Sequence, residues 1–119
     1  MNMEKIKFLR ALLCVVMLNL WSVAHANDFD IAHVREQGQD MIVFALDRSF
    51  GFKSQKEQHE IMYFLQRCVS GARLSGSVVV LWEVDGRTHS IGPKQWGDFL
   101  RSIDMMWHAQ HVNKTLSCR

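Results

Sequence analysis

Val78-Val79-Val80-Leu81-Trp82 is an unbroken apolar run, and it places the first constraint on how this chain folds. Three successive valines crowd a helical turn but suit a pleated strand, so residues 77–84 are expected to be extended. Residues 40–46, Asp-Met-Ile-Val-Phe-Ala-Leu, form a second apolar run of strand length. A strand apolar on both sides is buried on both faces, which is the condition of a strand inside a sheet. Between the two runs, Ser54 and Glu57 have the spacing of a capping box. Ile61, Phe64, Leu65, Cys68 and Ala72 then recur at helical intervals, and Gly71 marks the end of that helix.

Asp85-Gly86 is a two-residue hairpin signal, after which residues 87–91 return as a shorter strand. Gly92 interrupts, and Pro93 suits the first turn of a second helix. The apolar face of that helix is Trp96, Phe99, Leu100, Ile103 and Trp107. Gly97 and Ser102 weaken its intrinsic propensity, so it depends on packing. Residues 114–118 read as a short edge strand, and residues 27–39 as a short helix from Asp30 to about Gly38.

The resulting order is β-α-β-β-α with a further β at the end. It predicts an α+β domain, a two-layer sandwich of the ferredoxin-like, split βαβ kind with two helices over one face of the sheet. A thioredoxin-like arrangement is the alternative. The strand, loop and helix from Met41 to Glu57 resemble the opening of thioredoxin-like envelope proteins. Residues 47–54 contain no cysteine, however, which excludes thiol oxidoreductase chemistry there.

Residues 1–26 have the composition of a cleavable secretory signal peptide. Lys5, Lys7 and Arg10 precede an uncharged apolar core at residues 11–20, and Ala24-His25-Ala26 offers small residues for cleavage before Asn27. That core is shorter than the ~20 apolar residues a membrane span needs, so no stable anchor is expected. Residues 27–119 are then one small domain, placed in the periplasm or secreted. Without Lys5, Lys7, Arg10 and Glu4, the 14 basic and 12 acidic residues become 11 of each, and the net charge falls from +2 to 0. A neutral domain gives nucleic acid no electrostatic footing. Cys14 leaves with the leader, and Cys68 and Cys118 remain as a pair suited to a disulfide in an oxidising compartment.

The candidate binding residues are Arg48, Phe50, Gly51, Phe52 and Lys53, in a loop between a central strand and a helix N-terminus. Two aromatics around a glycine, flanked by cations, would suit contact with another protein. His108 and His111, near Met105 and Met106, are candidate ligands for copper or zinc. A wheel centred on Trp96 and Trp107 puts His111 at the edge of the apolar stripe and His108 toward solvent. Asp47 and Ser49, with His33 or His89 brought near, are the only pieces of a hydrolase, and they match no catalytic signature. No catalytic residues and no cofactor are therefore assigned. The expected function is that of an exported, non-catalytic protein-binding module, an accessory, assembly or inhibitor component of the cell envelope. Its partner would be another envelope or secreted protein. The alternative is a periplasmic protein that binds or handles copper or zinc.

Overall fold

The computed structural model describes residues 28–118, so the expected signal peptide lies outside the described residues. The two apolar runs form β2, Gln39–Ala45, and β3, Ser77–Val84. They pair in parallel, joined by the helix α1, Gln55–Gly71. As the capping box predicts, Ser54 Oγ accepts a 3.2 Å hydrogen bond from the Glu57 N–H, while the Glu57 carboxylate accepts from the Ser54 hydroxyl at 3.1 Å instead of from its backbone N–H. At the other end, the Leu74 N–H donates to the Val69 carbonyl and the Arg73 N–H to that of Ser70. This closes a Schellman-type cap in which Arg73, rather than Gly71, takes the left-handed conformation.

β4, Arg87–Ile91, returns against β3 through Asp85 and Gly86, both at positive φ as a type I′ turn requires. The helix expected from Asp30 to Gly38 does not form. β1, Asp28–Glu36, is a nine-residue strand that enters β2 through a matching two-residue turn at Gln37 and Gly38. The tertiary pairing explains the misreading. β1 lies between two other strands, and its apolar residues divide between two cores, Ile31 to one and Ala32 to the other. No clean alternation therefore marks it in the sequence. β5, Lys114–Ser117, pairs with β1 at the sheet edge. Asn113 extends that pairing: its side chain donates to the His33 carbonyl at 2.8 Å and accepts from the His33 N–H at 2.9 Å.

The domain is α+β, as expected, with a five-stranded mixed sheet ordered β4-β3-β2-β1-β5. The order differs from the split βαβ favoured by the sequence. β2 and β3 are direct neighbours, and the crossover strand β3 itself opens the hairpin, so no separate thioredoxin-like hairpin follows either. The helices also divide between the faces. Ile42, Phe44, Val78 and Val80 pack with Leu65 and Val69 of α1, whereas Met41, Val43, Val79 and Leu81 pack with Trp96, Leu100 and Ile103.

The second helical region is broken, not continuous. A 3-10 turn at Lys94–Trp96 leads into α2, Gly97–Ser102; Ile103 is extended, and α3 spans Met105–His111. Asp104 starts α3 by accepting the Trp107 N–H at 2.8 Å. Among the described residues, no helix is long and apolar enough to cross a membrane.

Cys68, on α1, and Cys118, just after β5, are joined as a disulfide with their Cα atoms 5.5 Å apart. The bond ties α1 to the edge strand over 50 residues of sequence. Loop-closure entropy assigns such a cross-link about 4 kcal/mol. Urea denaturation in the presence of a reductant, or of the Cys68→Ser/Cys118→Ser variant, is expected to show a loss of about 2–5 kcal/mol relative to the oxidised protein. An unchanged midpoint would mean that the bond adds nothing to the fold.

Candidate functional site

The turn at the C-terminal end of β2 is built around one buried anchor. Residues Arg48–Phe52 form a 3-10 turn, with Asp47 as its cap: Asp47 Oδ2 accepts the Ser49 N–H at 3.1 Å. Hydrogen bonding from Ser49, first through its side chain and then its backbone, holds the Asp47 carboxyl below its ordinary value. Phe50 is only 2% exposed and meets the Trp82 ring edge-on, with centroids 4.9 Å apart. The Phe50 carbonyl accepts from the Gln58 side chain at 3.0 Å, which fastens the turn to α1. Gly51 leaves room for the Trp82 indole, since a Cβ there would fall 2.5 Å from its Nε1.

Those contacts divide the five residues expected to bind a partner. Phe50 and Gly51 serve the packing of the turn, whereas Arg48, Phe52 and Lys53 are exposed. Phe52 is 68% exposed, and the Arg48 guanidinium carbon lies 5.5 Å from its ring centroid. Sequence alone could not separate Phe50 from Phe52, because both flank Gly51 and neither belongs to a periodic element. On the β3–β4 hairpin beside the turn, His89 stacks on Trp82 at 5.5 Å and 15°. In the sequence this pairing is signalled by the Asp85-Gly86 turn, which fixes the register that sets the two residues opposite.

Two neighbouring aromatics on α1 are exposed. The helical period assigned Phe64 to the core, but it is exposed beside Tyr63, and Arg67 lies 5.9 Å from the Tyr63 ring centroid. Ala72, assigned with it, is exposed just past the helix end. The buried face is carried instead by Leu65 and Val69, with Ile61, Met62 and Cys68 packed partly against it.

His108 and His111 exchange the environments expected of them. His108 is buried, 7% exposed, with Nε2 donating to the Val43 carbonyl of β2 at 3.0 Å, while His111 is exposed and its Nδ1 lies 2.6 Å from the Trp107 carbonyl. The break at Ile103 and the new cap at Asp104 reset the helical phase on which the wheel depended. One nitrogen of each ring is therefore engaged by a backbone carbonyl. Among the described residues, no group of three or more His, Cys, Asp or Glu side chains is placed to hold a metal ion.

Of the hydrolase pieces, Asp47 and Ser49 are joined within the turn, but neither is hydrogen-bonded to His33 or His89 among the described residues. His33 pairs with Ile42 at the middle of β2, whereas Asp47 follows its end. The His33 ring nitrogens contact the Ser75 carbonyl at 2.9 Å and Lys114 Nζ at 2.8 Å. His89 rests on Trp82. Among the described residues, no hydrogen bond joins Asp47 to a histidine. Comparison with family models, with curated proteins and with solved structures found no match.

Burial of His108 pushes its pKa below 6.5, against weaker opposing effects of the Val43 hydrogen bond and the Asp30 charge. The folded state then binds fewer protons than the unfolded chain, so stability is fully present above pH 6.5 and falls as the pH drops toward the folded value. A His108→Gln variant, which keeps a donor for Val43 without titrating, is expected to lose less stability than the wild type between about pH 7.5 and pH 5 in urea titrations. Equal losses in both proteins would assign the acid sensitivity to other groups.

The turn makes its own prediction. Phe50→Ala is expected to destabilise the domain by about 3–5 kcal/mol, and Phe52→Ala to stay within about 0.5 kcal/mol of wild type by thermal or urea unfolding.

Proposed function

We propose that this protein is a non-catalytic protein-binding module, an accessory, assembly or inhibitor component acting in the periplasm or outside the cell. The observation that carries the reading is Phe52. It is a largely exposed aromatic beside an arginine, on a turn fixed by Phe50, Gln58 and the close approach of Gly51 to Trp82. A turn already ordered before contact gives up little entropy on binding, and aromatic and arginine side chains are over-represented among the residues that carry interface energy. The Cys68–Cys118 bond suits an oxidising compartment, as does the leader composition of residues 1–26. The partner is another envelope or secreted protein.

The test begins with a partner cross-linked from envelope extract, identified by mass spectrometry and then purified. Wild type is expected to bind it at least ~10-fold more tightly than Phe52→Ala or Arg48→Ala, the size of effect seen for interface anchors. Circular dichroism would show all three proteins folded. Undiminished binding by both variants would remove the Arg48–Phe52 turn from the interface and, with it, the basis of this reading.

A further inference from the structure

We propose that the outer face of α1 pairs with the same face of a second copy of this chain, antiparallel, about a two-fold axis between Tyr63 and Phe64. At 100° per residue, Lys56, Glu60, Tyr63, Phe64, Arg67 and Gly71 fall in one stripe of the helix, opposite Leu65 and Val69. All six are exposed, and an open groove runs along this face. The stripe has two aromatics at its centre, an acid before them and a base after them.

That arrangement is self-complementary. In an antiparallel helix pair with its dyad between positions 63 and 64, each residue faces the one whose number makes the same sum. Tyr63 meets Phe64 of the second copy, and Phe64 meets its Tyr63. Glu60 meets Arg67 twice, once on each side of the axis. Lys56 approaches position 71 of the other helix, where the negative end of the helix dipole favours a cation. Gly71 has open space around it, so nothing at that position blocks the approach. A two-fold interface requires this kind of patch, matched to itself under rotation. A parallel pairing would set Glu60 near Glu60 and Arg67 near Arg67.

Arg67 is already held near the Tyr63 ring, so its guanidinium is presented along the stripe. Neither Glu60 nor Arg67 takes part in an ion pair among the described residues. The contact spans Lys56 to Gly71, about 24 Å of helix, which is small for a protein interface. The dimer is therefore reversible and forms with rising concentration. It uses none of the residues of the Arg48–Phe52 turn and does not depend on the partner proposed for that turn.

Sedimentation velocity of the oxidised protein over a wide concentration range, at low and at high salt, tests the pairing. The weight-average mass is expected to rise toward twice the monomer value, and salt is expected to weaken the rise. Glu60→Arg and Arg67→Glu each place like charges on both sides of the axis and are expected to weaken dimerisation by about tenfold. The double variant Glu60→Arg/Arg67→Glu restores both pairs with reversed sign and is expected to recover dimerisation to within about threefold of wild type. Circular dichroism would establish that each variant is folded, as expected for exposed positions. Three outcomes overturn the proposal: a monomer at every concentration, a dimer indifferent to both single reversals, or folded single variants whose loss the double variant does not repair.

Discussion

The domain is arranged around a strand pair whose central residues no water reaches. Met41, Ile42, Val43 and Phe44 of β2 are fully buried, as are Val79, Val80 and Leu81 of β3. Successive side chains point to opposite faces of a sheet, so burying all of them requires cover on both sides. α1 supplies one cover and the α2–α3 pair the other. The same requirement places β2 and β3 inside the sheet, with β1 and β5 on one flank and β4 on the other. The disulfide then holds the α1 cover to the flank farthest from β4.

This arrangement also explains where exposed chemistry occurs. With α1 committed through Leu65 and Val69, its opposite face is left to Glu60, Tyr63, Phe64 and Arg67. The turn entering α1 must close over the end of the sheet, which Phe50 does by packing on Trp82. Phe52, two residues later, is carried outward. Exposure of the aromatic thus follows from burial of its neighbour. His108 illustrates the converse: a polar ring buried under the α3 cover is tolerated because the Val43 carbonyl accepts its N–H.

How much of this was legible depended on whether the signal was local. The strand at β3, the capping box at Ser54 and Glu57, the Asp85-Gly86 hairpin and the cysteine pair are each specified by neighbouring residues or by residue type, and each is present. β1 reads as a helix because its apolar residues serve two cores, which erases the alternation that marks a half-buried strand. Phe64 reads as core because it lies within one helical interval of Ile61 and Leu65, yet the buried arc of α1 is too narrow to include it. The histidine phases were inverted because one extended residue, Ile103, divides what the spacing presents as a single helix.

By itself, the sequence determined the α+β class, the apolar strand pair, the first helix with its cap, and the pairing of Cys68 with Cys118. These rest on side-chain shape, apolar content and short spacings that act wherever the segment lies. The tertiary structure decided the strand order, the assignment of helices to faces, the separation of Phe50 from Phe52 and the burial of His108. Those depend on which distant segment supplies the covering surface, and a spacing along the chain does not carry that information.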